Sequence, residues 1–125
     1  MNIIFGDAVK ELPDSYTVLE LDTIRLEPSN KVFTSYCAVE QIPIAEFALL
    51  DTNKKIHSEL MEQYRKRNWN YCQQAILSLK GLWNREVDSF YNEIQTRVTE
   101  FQINPPSADW DGILVRSISN PLASK

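Results

Sequence analysis

Glycine is scarce in this chain, with three residues in 125, all far apart. A glycine-rich loop whose amides close around a phosphate is therefore excluded, and with it the common nucleotide fingerprints. Histidine occurs once, at His57, outside any His-Glu-x-x-His context and without a cysteine partner, so zinc-hydrolase chemistry has no basis. His57 is expected as a partly exposed helix side chain. Cysteine is nearly as rare: Cys37 and Cys72 each lie in an apolar-patterned segment and read as buried free thiols, not as a disulfide or a metal pair. Long apolar runs are missing too. Phe47 to Leu50 is far short of the roughly 20 residues that span a bilayer, and Met1 to Phe5 has neither a basic lead nor a cleavage site. The chain is expected to be cytoplasmic, without membrane contact.

Charge of either sign is unremarkable. The net charge is −4, and the one basic cluster, Lys54, Lys55, Arg65, Lys66 and Arg67, shares its helix with Asp51, Glu59 and Glu62. That mixture reads as a solvated helical face, and a nucleic-acid partner is not expected. With 43% hydrophobic and 24% charged residues and no low-complexity tract, the chain has the composition of one ordinary globular domain or part of one.

The fold class read from the pattern is α+β. Asp7 to Leu12 suggests a short helix ended by Pro13, giving the order helix, turn, strand. Thr17 to Asp22 and Thr23 to Glu27 alternate apolar and polar residues, as strands with one buried face do. Pro28-Ser29-Asn30 supplies a turn, and Val32 to Val39, rich in β-branched and aromatic residues, returns antiparallel. From Pro43 the period changes to about 3.6 residues. Ile56, Leu60 and Tyr64 form one stripe, on a helix that Asp51, Thr52 or Asn53 is placed to cap. The chain breaks at Arg67-Asn68. Trp69, Cys72, Ile76, Leu79 and Trp83 form a second stripe, and Val87, Phe90, Ile94, Val98 and Phe101 a third, with Asn84 as the cap between them. Short links imply antiparallel neighbours. The expected parts are a hairpin segment over 1–42, a three-helix unit over 43–103 and an extended tail over 104–125. Trp69 and Trp83 are the expected anchors of the core. Aromatics at helical spacing are core packing and not a cofactor box, so no cofactor is expected.

The tail carries Asn104-Pro105-Pro106-Ser107-Ala108-Asp109-Trp110-Asp111-Gly112, a costly ordered sequence with no catalytic group of its own. The segment from Leu60 to Leu79 looks like a tetratricopeptide-type helix pair, a unit that needs a third helix or a partner to bury its apolar face. Together with Asp88, Arg97, Phe101 and the tail, it resembles the C-terminal extension behind the catalytic domain of bacterial class III adenylate/guanylate cyclases. Tyr64, Arg65, Trp69, Arg97, Asn104, Pro105, Pro106, Asp109, Trp110, Asp111 and Gly112 match that pattern, and Cys72 stands where the family has alanine. Upstream, Ile24, Leu26, Phe33 and Tyr36 are similar to the hairpin that closes the cyclase sheet, but Glu27-Pro28-Ser29 replaces its Lys-Gly-Lys and Val32 its proline.

The resemblance implies a segment beyond the catalytic groups of such an enzyme. A cyclase of this class needs two metal-binding aspartates, a base-recognising pair and a transition-state asparagine and arginine, and these precede the matched region. Asp7, Asp14 and Asp22 read instead as helix, turn and strand-end residues. The chain is thus expected to make no cyclic nucleotide by itself. Its implied role is structural or regulatory, with the catalytic domain of a nucleotide cyclase as partner in cis or in trans, and a homodimer left open. Two alternatives stand beside it: a free-standing interaction module whose groove or hairpin edge binds a partner, and a fragment completing a split enzyme.

Overall fold

The computed structural model describes residues 1–40 and 42–117 and has an α+β architecture: a four-stranded sheet beside a layer of helices. The chain begins with a strand, β1 (Asn2–Phe5), that the sequence pattern did not announce, and the expected order of short helix, turn and strand follows it. Gly6 adopts a φ of 59°, a conformation glycine reaches without steric cost, and turns the backbone into a 3₁₀ helix at Gly6–Glu11. β2 (Thr17–Glu27) and β3 (Lys31–Val39) form the expected hairpin, and β1 pairs antiparallel with the far side of β3.

Strand β2 is continuous, but it contains a bulge. Glu20 pairs with Tyr36 and Thr23 with Thr34, so one residue on β2 is extra. That residue breaks the alternation, and Leu21 and Asp22 are both buried although they are neighbours. The reading of Asp22 as a strand-end residue is therefore corrected: it lies inside β2 and faces the interior.

The helices are α1 (Ile44–Phe47), α2 (Leu50–Arg65), α3 (Trp69–Leu79) and α4 (Asp88–Ile103). Three residues link α2 to α3, and such a short link makes the pair antiparallel. Asn68 caps α3 by accepting from the Tyr71 amide at 3.4 Å. The caps expected from the sequence are not made. The N-cap of α2 is Leu49 and that of α4 is Val87, neither with a side-chain bond, while Asp51, Thr52 and Asn84 are exposed and Asn53 is buried.

Trp83 does not continue the α3 seam as expected. Helix α3 ends at Leu79, and Trp83, Asn84 and Arg85 form a turn with φ of 55°, 54° and 62°. Left-handed backbone costs roughly 1–2 kcal/mol per non-glycine residue. Complete burial of the Trp83 ring offsets that cost, and a bond from its backbone amide to Glu46 Oε1 at 2.7 Å fixes the turn.

One core runs through the whole assembly. Leu19, Leu21, Cys37 and Val39 from the sheet pack with Leu60, Met61, Ile76, Leu79, Ile94 and Val98 from the helices. Cys37 and Cys72 are buried free thiols, and burial raises each to a pKa of about 11. After Gly112 the expected extended tail forms a strand, β4 (Leu114–Ser117), parallel to β2 at the sheet edge, a pairing that was not expected. The rest of that expected tail, 118–125, lies outside the described residues.

Candidate functional site

Four of the residues singled out in the sequence meet at one point. Tyr64 at the end of α2, Trp69 at the start of α3, Phe101 near the end of α4 and Trp110 in the tail form a cluster in which every pair of rings is in contact. The shortest separation is Trp69–Phe101, stacked at 5.1 Å, and the longest Tyr64–Phe101 at 6.4 Å. Trp110 meets the others at 5.3, 5.4 and 5.8 Å, mostly edge to face, the arrangement that the ring quadrupole favours. Helical spacing set each stripe; the point at which three stripes and the tail meet is a property of the packing.

Arg67 closes this cluster. Its backbone has a φ of 65°, which turns the chain sharply between α2 and α3. Its guanidinium lies 5.5 Å from the Trp110 ring and donates to the carbonyls of Pro106 (3.3 Å), Ser107 (2.6 Å) and Trp110 (3.2 Å). One cation thus satisfies three carbonyls of a segment outside regular structure and adds a cation–π contact. Arg65 also turns inward, to Glu20 at 3.3 Å. The expected solvated face is correct for Lys54, Lys55 and Lys66, which are exposed, but not for the two arginines.

The tail is fitted residue by residue. Pro105 is exposed, and Pro106 is half-buried and takes part through its carbonyl. Asp111 accepts from the Ile113 amide at 3.0 Å and from Arg25 at 3.3 Å, and these donors, the amide first, hold its carboxyl below the usual range. Gly112 is buried with a φ of 81°, and a Cβ there would lie 2.8 Å from Arg65 Cγ. Glycine is required on both counts.

Arg97 and Trp83 lie in two other polar networks. Arg97 on α4 binds both Asp22 oxygens, at 2.8 and 3.1 Å, and Glu93 at 2.8 Å. Burial alone would lower its pKa, but the Asp22 carboxylate outweighs that and raises it. Trp83 Nε1–H donates to the Tyr91 hydroxyl at 2.9 Å; the Tyr91 hydroxyl donates to His57 Nδ1 at 2.8 Å; His57 Nε2–H donates to the Glu20 carbonyl at 2.6 Å. The order of donors follows from its end, since a carbonyl only accepts and a neutral imidazole then has Nδ1 free to accept.

His57 is thus fully buried, which corrects its expected partial exposure. Burial lowers its pKa, against the opposing pull of Glu20. The signal was in the sequence: Asn53, His57, Leu60, Met61 and Tyr64 keep helical spacing, and all five are buried. Tyr91 carried the same signal, four residues after Val87 and three before Ile94, and is buried; Asp22 gave none, because a bulge is not written in periodicity.

Among the described residues, no three His, Cys, Asp or Glu side chains are grouped to hold a metal ion, and no helix is long and apolar enough to cross a membrane. No protein-family model, curated protein or solved structure matches the chain.

Proposed function

We propose that this chain is a non-catalytic structural or regulatory unit, of the kind that follows the catalytic domain of a nucleotide cyclase, and serves cyclic-nucleotide signalling in the cytoplasm. The observation that carries this reading is the use made of the residues in the cyclase-like pattern. Tyr64, Trp69, Phe101 and Trp110 pack on one another, Arg97 is committed to Asp22, and Asp111 to Arg25. Each ties the tail or a helix to another part of the fold. Pinning of this kind suits a scaffold, whereas turnover requires polar groups converging on a shared cleft. The two free thiols fit the proposed compartment.

The partner in this reading is a cyclase catalytic domain, in cis or in trans. The test is direct: purified chain with ATP or GTP and Mg²⁺ or Mn²⁺ is expected to give no cyclic product, and measurable turnover overturns the reading. Addition of the chain to a separately purified bacterial class III catalytic domain is expected to change that domain's rate or melting temperature. Unchanged values for both remove the cyclase partner from the proposal.

A second reading, a free-standing interaction module, is favoured by a different observation. Strand β1 ends the sheet with one edge unpaired among the described residues, and Ile3 and Phe5 on it are exposed.

A further inference from the structure

The tail, 104–117, lies on the rest of the fold as a bound peptide lies on its receptor. The buried apolar core takes no residue beyond Val98, and Phe101 and Trp110 only pack against its outside. Asn104, Pro105, Ser107, Ala108, Asp109 and Asp111 are exposed. The body, 1–103, thus closes its core without the tail. The hinge between them is lightly held. Helix α4 ends at Ile103, which is 70% exposed, and Asn104 bonds only back to Glu100 of the same helix. Pro105 and Pro106 have no amide to donate, and the Pro106 carbonyl meets Arg67 alone.

Beyond the hinge, the body recognises the tail in three ways. Trp110 enters the cage of Tyr64, Trp69 and Phe101, Arg67 takes three tail carbonyls, and β4 adds in parallel to Ile24–Glu27 of β2. An aromatic anchor, a carbonyl clamp and strand addition are the means by which grooves hold extended peptides. Charge matches as well. Of the arginines beneath the tail, Arg65 is answered within the body by Glu20 at 3.3 Å. Among the described residues, Arg25 and Arg67 are paired with no carboxylate of the body, and Arg25 pairs with Asp111 of the tail at 3.3 Å. The tail brings Asp109 and Asp111 against one cation, Arg116, which bonds the carbonyl of its neighbour Val115.

We propose that this groove is a self-recognition site: filled in the isolated chain by its own tail, it also takes the same segment, 104–117, from a second copy. Two copies then join tail to groove through contacts that one copy already makes within itself, and no new complementary surface is needed. The seated tail competes with the incoming one. Wild-type affinity for a second tail is therefore reduced by the fraction of grooves already filled, and any change that loosens the chain's own tail raises it. The site is independent of a cyclase partner and of the β1 edge.

The test uses the full chain and a fluorescein-labelled peptide of residues 104–117. Trp110→Ala in the chain loosens its own tail and leaves the groove intact. Fluorescence anisotropy is expected to show this variant binding the peptide at least about tenfold more tightly than wild type does, and the peptide is expected to raise the variant's melting temperature. A peptide that itself carries Trp110→Ala should do neither, and Arg67→Gln added to the chain should abolish both effects. If circular dichroism shows Trp110→Ala unfolded, Asp111→Asn replaces it, a change at an exposed carboxylate that loosens the tail through Arg25; tighter peptide binding than wild type is again expected. Mixing full-length Trp110→Ala, with a free groove, and full-length Arg67→Gln, with an intact tail, should give a heterodimer in light scattering that neither forms alone. No peptide binding, equal binding by wild type and variant, or binding that Arg67→Gln leaves unchanged overturns the proposal. Peptide binding without the heterodimer confines the groove to its own chain and overturns it too.

Discussion

Arg97 and Asp22, on α4 and β2, are joined by two hydrogen bonds of 2.8 and 3.1 Å, and their side chains are 15% and 9% exposed. The pair ties the helical layer to the sheet at the point where the β2 bulge turns Asp22 inward.

Its removal one partner at a time should be costly. Arg97→Met leaves a carboxylate buried without its cation, and a loss of about 3–5 kcal/mol is expected in urea unfolding. Arg97→Met combined with Asp22→Leu should lose less than Arg97→Met alone, since no charge is then stranded. A double variant less stable than the single one would show that the pair itself, and not the stranded charge, dominates.

The tail should act as a structural fastener. Trp110→Ala removes one of four mutually packed rings and the surface that Arg67 covers, and a loss of about 2 kcal/mol is expected, below the full cost of a completely buried tryptophan because Trp110 is half-buried. Differential scanning calorimetry reads this as a lowered melting temperature. Arg67→Gln should move it in the same direction, since three carbonyls lose their donor. An unchanged melt for both variants means that the tail adds nothing to stability.

Two glycines with similar backbones separate conformational strain from crowding. Gly81 has a φ of 87° and open space where a Cβ would sit, so Gly81→Ala should cost about 1 kcal/mol from strain alone. Gly112 has a φ of 81° with Arg65 atoms at 2.8, 3.3 and 3.4 Å from the same point, so Gly112→Ala should cost about 2–3 kcal/mol. Equal losses in chemical denaturation would mean that Arg65 moves aside freely.

Stability should fall in mild acid through His57. Its folded pKa lies below the ordinary 6.5 because burial disfavours the charged ring. The unfolded chain therefore binds the proton more readily, and the contribution of neutral His57 is complete above pH 6.5 and is lost as pH falls from there toward the folded value. Urea midpoints for wild type and His57→Gln should approach each other as pH falls from 7.5 to 5. Parallel curves would show that His57 is not the titrating group.

The hairpin, its turn and the three principal helices were legible in the sequence, because period-two and period-3.6 patterns follow from local backbone geometry. Stripes such as Val87, Phe90, Ile94 and Val98 mark a buried face whichever neighbour covers it. The break at Arg67-Asn68 was also visible. The exit of Trp83 from the α3 seam was not: its position at helical spacing was coincidental, and the left-handed turn depends on partners in α1 and α4, Glu46 and Tyr91.

By itself the sequence determined the class of fold, the faces that seek burial, the lack of a phosphate loop and the free state of its thiols, since each depends on residue type and near neighbours. Only the tertiary structure decided that Asp22 points inward to Arg97, that His57 is sealed between Tyr91 and the Glu20 carbonyl, and that the tail ends as a strand on β2. Those outcomes depend on desolvation and on partners distant in the chain, which no local pattern encodes.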